Sequence, residues 1–394
     1  MIAFSPRLSR IKLSPSTMAA QKVRDLRAAG RDIIGLTIGE PDFNTPEHVK
    51  RGVIAALQRN ETRYPPINGI PQLREAVRRK FIRDNGLDYP IDQIMVGTGS
   101  KQILFNALQA TVSAGDEVII PAPYWISYLD MTLVADGTPV VVDCGMEHGF
   151  KIMPQQLDAA ITPRTKWLML NSPGNPSGAV YSRAELLALA EVLRRHPQVW
   201  ILSDDIYEHL RFDGVEFCTM AQIAPDLAER TLTVNGVSKA YAMTGWRIGY
   251  CGGPVEIVTA MSTIQSQSTS NPVSMSQKAA IAALNGDQSC VTEMNKHFKA
   301  RHDFFNAGLN ALPGFKVLPG AGTFYAFCDI NDAMHKLGMM DDHVFAEFLL
   351  EKAGVAGVPG SGFGAPGHIR FSFAVSMQTL ENALERMRKA LATG

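Results

Sequence analysis

Between residues 90 and 285, short runs of apolar and β-branched residues alternate with segments that have a helical pattern. This alternation predicts a largely parallel sheet, because parallel neighbours need long connections and helices supply them. Helices cover such a sheet on both faces, and its ligands bind beyond the carboxyl ends of its strands. We therefore expect an α/β fold with a binding site at that edge of the sheet.

Residues able to bind a ligand follow five separate predicted strands. They are Gly99–Lys101, Trp125, Asn175, Asp204 and Lys239. Taken singly, each has a purely structural explanation: a turn, a packed aromatic ring, a loop residue, a helix cap or a surface charge. Their shared position after strands brings them to one edge of a parallel sheet. The sequence therefore predicts that they form one site.

Lys239 lies in the segment TLTVNGVSKAYAMTGWRIGY, residues 231–250. The β-branched run at its start predicts a buried strand, and Asn235-Gly236 predicts the turn that leads to Lys239. The neighbours of Lys239 are small or apolar, so its amine is expected to be partly desolvated, which lowers its pKa. A neutral lysine amine can form a Schiff base with an aldehyde cofactor, and Arg247 can bind that cofactor's phosphate.

Length and charge narrow the classes of function. The chain has 394 residues, and a single core stops growing near ~250–300 residues, so we expect two domains. Acidic and basic residues balance at 38 each, which gives no indication of binding to nucleic acid or an anionic membrane. The five cysteines lack paired spacing and predict neither a disulfide framework nor a metal site. No signal-peptide pattern or membrane-length apolar run is present, which predicts a soluble cytoplasmic protein.

The run SKAYAMTGWRIGY around Lys239, together with NSPGNPSG, resembles the signatures of fold-type I aminotransferases, which depend on pyridoxal 5'-phosphate (PLP). The resemblance is to the bacterial branch that contains aspartate and prephenate aminotransferases, and it extends from about Ser14 to the C-terminal helix. It implies a large domain with a mostly parallel seven-stranded sheet, residues 46–285, and a smaller α+β domain, residues 1–45 and 286–394. It also implies a homodimer with shared active sites.

The resemblance implies how the cofactor ring is held. Lys239 is the catalytic lysine that carries PLP, and Asp204 lies beside the pyridine nitrogen, where its charge keeps that nitrogen protonated. Asn175 and Tyr207 bind the phenolic oxygen of the ring. Trp125 stacks on the ring, because an extended aromatic face gives contact area at low entropy cost.

The resemblance also implies how the cofactor phosphate is held. Gly99, Ser100 and Lys101 offer backbone groups at a helix N-terminus, where unpaired N–H groups and the helix dipole favour an anion. Arg247 adds a guanidinium. Tyr64 reaches the phosphate of the neighbouring subunit, so that the active site requires a dimer.

Substrate recognition follows from the same resemblance. Gly39 lets the backbone approach the α-carboxylate, and Arg370 clamps that group, because a planar guanidinium binds a carboxylate bidentately. Trp125 and Asn175 border the bound substrate. Lys101 binds the distal carboxylate of dicarboxylic substrates, which favours aspartate and glutamate.

We therefore expect an aminotransferase that moves the amino group of an L-amino acid, with aspartate or glutamate favoured, to a 2-oxo acid such as 2-oxoglutarate by a ping-pong mechanism. Prephenate, alanine or a broad range of aromatic substrates is the alternative. The family's PSxT motif appears here as SPST, so the hydroxyl that would assist prephenate binding is Ser14, Ser16 or Thr17. A PLP-dependent carbon–sulfur lyase on the same fold is the rival reaction.

Two other classes fit the sequence less well. PLP-binding transcription regulators append a DNA-binding module, and the roughly 30 residues before the first predicted strand are too few for a winged helix. A nicotinamide dehydrogenase needs a glycine fingerprint that Gly97-Thr98-Gly99 does not complete.

Capping and periodicity signals predict individual helices. These are Met18–Ala29, a helix capped by Thr45, Gln72–Asn85, a helix capped by Ser182 with Glu185 three residues later, and Met377–Leu391.

Overall fold

The computed structural model describes residues 4–393. Within them the strands are β1 (Ile34–Gly35), β2 (Ile94–Gly97), β3 (Glu117–Ala122), β4 (Thr138–Asp143), β5 (Thr165–Asn171), β6 (Trp200–Asp204), β7 (Thr231–Gly236), β8 (Gly249–Gly252), β9 (Lys316–Val317), β10 (Tyr325–Asp329), β11 (Val355–Ala356), β12 (Val358–Pro359) and β13 (His368–Ser372).

The α-helices of the same residues are α1 (Pro15–Ala28), α2 (Glu47–Gln58), α3 (Pro71–Asn85), α4 (Ser100–Thr111), α5 (Ser127–Val134), α6 (Pro154–Ala160), α7 (Arg183–Arg194), α8 (Met220–Ile223), α9 (Val255–Ser266), α10 (Ser274–Asn285), α11 (Ser289–Asn310), α12 (Asn331–Lys336), α13 (Asp342–Phe348) and α14 (Met377–Thr393). None of the helices described has the length and apolarity that crossing a bilayer requires.

Seven of these strands form the central sheet, in the order β2-β8-β7-β6-β5-β3-β4. β8 runs antiparallel to both of its neighbours, and every other neighbouring pair is parallel. The prediction of a mostly parallel seven-stranded sheet in an α/β fold is therefore confirmed.

Successive residues of the parallel strands face two different apolar layers. On β3, Val118 and Ile120 belong to a buried cluster that also contains residues of α4 and α9, whereas Ile119 belongs to a cluster with residues of α7. This period of two is the geometry of an extended strand. Burial of one large aliphatic side chain stabilises a fold by about 1.5–3 kcal/mol, so both helical layers are held firmly against the sheet.

A second, antiparallel sheet has the order β12-β13-β10-β9 and packs against α11 and α14. Its apolar cluster also takes in Tyr207, Leu210 and Phe212, which follow β6 of the central sheet. The segment that follows β6 therefore shares one core with the second sheet. The assignment of 46–285 to a large domain, and of the remainder to a small one, stays a prediction.

The predicted role of Thr45 as a helix cap is wrong. α2 begins at Glu47, with Pro46 at the cap position and no side-chain capping bond. The Thr45 hydroxyl instead donates to the Ala242 carbonyl at 3.1 Å and accepts from Trp246 Nε1 at 2.9 Å. A tertiary contact near Lys239 has thus replaced a local one.

Other helix predictions differ by only a few residues. α1 begins at Pro15 rather than Met18, because proline fits the first turn of a helix. The capping box of α7 is confirmed, with the Ser182 backbone N–H donating to Glu185 at 2.8 Å. The C-terminal helix is confirmed as Met377–Thr393.

Candidate active site

A cavity of about 340 Å³ lies at the carboxyl ends of the parallel strands. This volume is within the range of ~300–1,000 Å³ that small-molecule sites occupy. Most of the sequence-predicted site residues line it, namely Gly39, Ser100, Lys101, Trp125, Asn175, Asp204, Tyr207, Lys239, Arg247 and Arg370. The structure therefore brings residues that follow separate strands into one chamber.

Lys239 follows β7 and points its amine into this cavity. Its Nζ donates to the Gly39 carbonyl at 2.5 Å and lies 5.7 Å from the centre of the Tyr207 ring. Burial, and then the positive charge of Arg370, lower the pKa of Lys239 to about 8. A useful fraction of the amine is therefore neutral and nucleophilic near neutral pH.

Asp204 ends β6 at the floor of the cavity and is only 3% exposed. Its Oδ2 accepts a hydrogen bond from the Tyr128 hydroxyl at 2.6 Å. The other oxygen, Oδ1, has no hydrogen-bond partner of ordinary geometry in the described chain, although the Ile206 N–H helps to stabilise the charge. Burial raises the pKa of Asp204 to about 6, against the opposing effects of Tyr128, Ile206 and Lys239. A buried carboxylate oxygen that lacks a partner calls for a cationic or donating ligand.

This pKa predicts how Asp204→Asn changes stability with pH in the cofactor-free protein. The carboxyl pKa rises from 3.8 to about 6 on folding, so the charged form destabilises the fold above pH 6 and the effect vanishes below pH 3.8. The shift corresponds to about 3 kcal/mol. We expect thermal unfolding to show Asp204→Asn more stable than wild type at about pH 8 and equal to it at about pH 4.

Asp226→Asn is the matched control, because Arg194 holds the pKa of Asp226 below its ordinary value. That substitution should lower the melting temperature at about pH 8, with the opposite sign. An Asp204→Asn protein that is less stable than wild type at both pH values would contradict the prediction.

Arg370 lies on β13 with only 2% of its surface exposed. Its Nη1 donates to Asn175 Oδ1 at 2.9 Å, its Nη2 donates to the Thr37 carbonyl at 2.7 Å, and its Nε has no partner in the part of the chain described. The guanidinium also lies 4.4 Å from the centre of the Tyr325 ring. No carboxylate of residues 4–393 pairs with it. A buried cation without a counter-ion is costly, and an anionic ligand would relieve that cost.

Asn175 connects this arginine to the loop after β5. Its backbone N–H donates to Asn171 Oδ1 at 2.8 Å, and Asn171 Nδ2 donates to the Asp204 carbonyl at 2.8 Å. The ends of β5 and β6 are thereby tied together, which fixes Asn175 relative to Asp204.

The N-terminus of α4 forms a basic corner of the cavity. Gly99 caps this helix at φ +84°, and a Cβ there would lie 2.4 Å from Nη2 of Arg247. Arg247 itself has φ +54°, an uncommon and strained conformation for a side-chain-bearing residue. The unpaired N–H groups of the first helical turn and the guanidinium therefore face the same space, which suits an anion such as a phosphate.

Lys101 and Trp125 form the neighbouring wall. The Lys101 amine lies 4.9 Å from the centre of the Trp125 indole, and burial, followed by the charge of Arg247, lowers the pKa of Lys101. The three hydroxyl residues of the N-terminal segment also line the cavity, namely Ser14, Ser16 and Thr17. The choice among these hydroxyls stays open.

Tyr64 lies outside this cavity and is 93% exposed. Gly39 lies at the rim, where a Cβ would come within 2.3 Å of the Tyr325 hydroxyl. The close approach of backbone expected at Gly39 is present, whereas the role of Tyr64 in a neighbouring subunit remains a prediction.

Three residues of the site escaped the sequence interpretation. Tyr128 binds Asp204, Asn171 links two strand ends, and Tyr325 shares a hydrogen bond of 2.9 Å with the Tyr207 hydroxyl. Asn171 ends a strand just as Asp204 does, so the same positional argument would have found it. Tyr128 lies within α5 and Tyr325 in the second sheet, where no local signal distinguishes them from core aromatics.

Known proteins resemble the chain over its whole length. The family described as aminotransferase class I and II matches residues 31–387. The aspartate/prephenate aminotransferase of Cereibacter sphaeroides is 53% identical over 393 residues, with 98% of each chain covered. The aspartate aminotransferase of Rhizobium meliloti is 49% identical over 389 residues, with 98% of this chain and 95% of that protein covered.

Solved structures show the same likeness. The crystal structure of the aspartate aminotransferase from Rhizobium meliloti superposes with a TM-score of 0.96 at 48% identity, over 100% of this chain and 99% of the other. The aspartate aminotransferase from Thermus thermophilus with maleate gives a TM-score of 0.93 at 44% identity, over 99% and 100% of the two chains. The chain therefore belongs to the class I and II aminotransferases.

Proposed function

We propose that this aminotransferase uses PLP and moves the amino group of L-aspartate or L-glutamate to a 2-oxo acid. One observation carries the proposal. The same cavity contains the Lys239 amine, whose pKa is lowered, and a buried oxygen of Asp204 that has no hydrogen-bond partner in the described chain. The relatives' names and the family support the reaction class.

The residues present fit PLP. Asp204 Oδ1 is the unsatisfied acceptor that a protonated pyridine nitrogen would fill. The corner formed by Gly99, Ser100 and Arg247 suits the phosphate, and Trp125 offers a flat face for the ring. Bound there, PLP would supply an electron sink for the carbanion that forms at the substrate α-carbon.

The chain's own residues would then act on the substrate. Arg370 binds the α-carboxylate with its fork of donors and so fixes the orientation of the α-hydrogen. Lys239 removes that proton as a general base and, as an ammonium, returns a proton as a general acid. Asn175 and Tyr207 would hold the phenolic oxygen of the cofactor by donating hydrogen bonds to it. The surrounding aromatic rings exclude water.

Lys101 is proposed to select dicarboxylic substrates. Its amine lies 4.9 Å from the centre of the Trp125 ring, and no carboxylate within 4 Å neutralises it in the described chain. The Thermus thermophilus relative was solved with maleate, which is a dicarboxylate. Lys101 thus suits the distal carboxylate of aspartate or glutamate.

Prephenate is a second proposed substrate. Several relatives are named aspartate/prephenate aminotransferases, and prephenate also carries two carboxylates. Ser14, Ser16 and Thr17 supply hydroxyl groups at the cavity that its ring hydroxyl would require. We further propose that the protein acts in the cytoplasm as a homodimer in which Tyr64 reaches the partner's cofactor phosphate.

The substitution Lys101→Met tests substrate selection. It keeps an apolar stem and all backbone groups but removes one charge-assisted hydrogen bond, worth about 1.5–3 kcal/mol. We expect kcat/KM in a coupled assay with 2-oxoglutarate to fall roughly 10- to 100-fold for L-aspartate and to stay constant for L-alanine.

Alanine serves as the internal control, since it has no distal carboxylate for Lys101 to bind. An equal fall in kcat/KM for both donors would mean that Lys101 acts on the cofactor alone, and it would contradict the proposed substrate selectivity.

A further inference from the structure

A group of charged and polar side chains is buried behind the turn that follows β6, on the side away from the cavity. Lys80 and Glu208 have side chains that are 1% and 3% exposed, and Asn85 is equally buried. His209 and Asp84 close the rim of the group. None of these residues lines the active-site cavity.

The three innermost side chains form a closed triangle of contacts. The Lys80 amine pairs with Glu208 and donates to Asn85 Oδ1 at 2.7 Å, and Asn85 Nδ2 donates to Glu208 Oε2 at 2.8 Å. Burial alone would raise the pKa of Glu208, but Lys80 and then His209 lower it below its ordinary value. Glu208 therefore stays charged within the core.

A metal ion is a poor occupant of this group. Asp84, Glu208 and His209 do bring ligand atoms within 4.8 Å of one another. The Lys80 ammonium already contacts both carboxylates, at 3.8 Å for Asp84 and more closely for Glu208. The cation of the group is thus supplied by the chain itself.

The turn between the cavity and this group is short. Asp204 and Tyr207 face the cavity, whereas Glu208 faces α3, which carries Lys80. Only a few backbone bonds hold the turn, among them Glu208 N–H to the Asp205 carbonyl at 2.9 Å. The ion pair therefore ties Glu208 of this turn to α3, while the Tyr128 hydroxyl of α5 binds the Asp204 carboxylate.

We propose that Lys80 is a positioning residue of the aminotransferase, which acts through Glu208 to hold the Asp204 carboxylate and the Tyr207 hydroxyl at their places in the cavity. The inference rests on the proposed function, because it assigns the ion pair to the same site. A buried ion pair adds little net stability compared with apolar side chains of the same size, but it prescribes one geometry. The expected contribution of this pair is accordingly to catalysis rather than to stability.

A double-mutant cycle of Lys80→Met and Glu208→Gln tests the inference. Each single change leaves a buried charge or an unsatisfied partner and should lower the melting temperature. In the double variant the glutamine amide can still exchange both hydrogen bonds with Asn85, so the melting temperature should return close to that of wild type. If a single variant does not fold, the inference is tested on the double variant alone.

The double variant should nevertheless remain impaired in catalysis. Because only neutral hydrogen bonds to Asn85 then replace the ion pair, the turn is held less firmly, and we expect kcat for L-aspartate to fall on the order of 10- to 100-fold, with a smaller change in KM. The pH midpoint of the visible absorbance of the lysine-linked cofactor should also move upward. The hydrogen bond from Tyr207 and the proton that Asp204 holds on the ring both favour the deprotonated form of that cofactor, so misplacing them favours the protonated form. A purely structural role would not move that midpoint.

Arg78→Met is the matched control, since it breaks an exposed ion pair of the same helix, between Arg78 and Asp88 at 2.7 Å. It should leave kcat and the pH midpoint unchanged. A double variant that regains wild-type kcat and midpoint together with its melting temperature would overturn the inference. A wild-type enzyme without transamination would instead overturn the proposed function.

Discussion

Lys239→Ala is expected to lower kcat for transamination by about 10⁴-fold or more, because it removes both the nucleophile and the general acid–base group. The Lys239 amine lies in the cavity with a pKa of about 8, and Lys101, the other lysine among the lining residues, lies over the Trp125 ring. Single-turnover kinetics with L-aspartate measure the effect directly.

Lys239→Arg is the control for charge and bulk. The guanidinium stays protonated at any working pH and cannot act as a base. Lys239→Arg should therefore lose as much activity as Lys239→Ala, although it keeps a cation in the cavity. Reduction of the PLP-loaded wild type with borohydride, followed by peptide mass mapping, should place the cofactor on Lys239. Activity of either variant within tenfold of wild type would contradict the assignment.

Arg370→Leu is expected to lower kcat/KM for L-aspartate about a thousandfold. The change removes two charge-assisted hydrogen bonds to the α-carboxylate, each worth about 1.5–3 kcal/mol. Most of the loss should fall on KM, with a smaller loss in kcat because the α-hydrogen is no longer oriented. Steady-state kinetics over a range of aspartate concentrations separate the two parameters.

Arg164→Leu provides the comparison, because Arg164 pairs with Glu117 at the start of β3, at the opposite edge of the sheet. Its kcat/KM should match wild type. A wild-type KM for Arg370→Leu would contradict the assignment. The guanidinium would then have a structural role, and another group would bind the α-carboxylate.

The placement of the site was open to prediction because it depends on topology. Asn175, Asp204 and Lys239 each follow a strand, and parallel strands bring their carboxyl ends to one edge regardless of the details of packing. The glycine turn at the start of α4 was likewise predicted, and Gly99 lies there at φ +84°, a conformation that glycine adopts without strain.

The partners of these residues depend on contacts between distant parts of the chain. Tyr128 reaches Asp204 across 76 positions and Arg370 reaches Asn175 across 195, and no local pattern encodes such distances. Thr45 shows the same limit at a helix start, where a bond to Trp246 outweighed the local capping preference. The burial that lowers the pKa of Lys239 was predictable in direction from its apolar neighbours.

Lys239 and PLP together are proposed to carry out the transamination of a dicarboxylic amino acid. Its most direct test mixes the PLP-loaded protein with L-aspartate without any 2-oxo acid acceptor and measures products and visible absorbance in a single turnover. We expect loss of the absorbance band and one oxaloacetate per subunit, with no ammonia. Continuous release of ammonia and fumarate, or no product while the band persists, would contradict it.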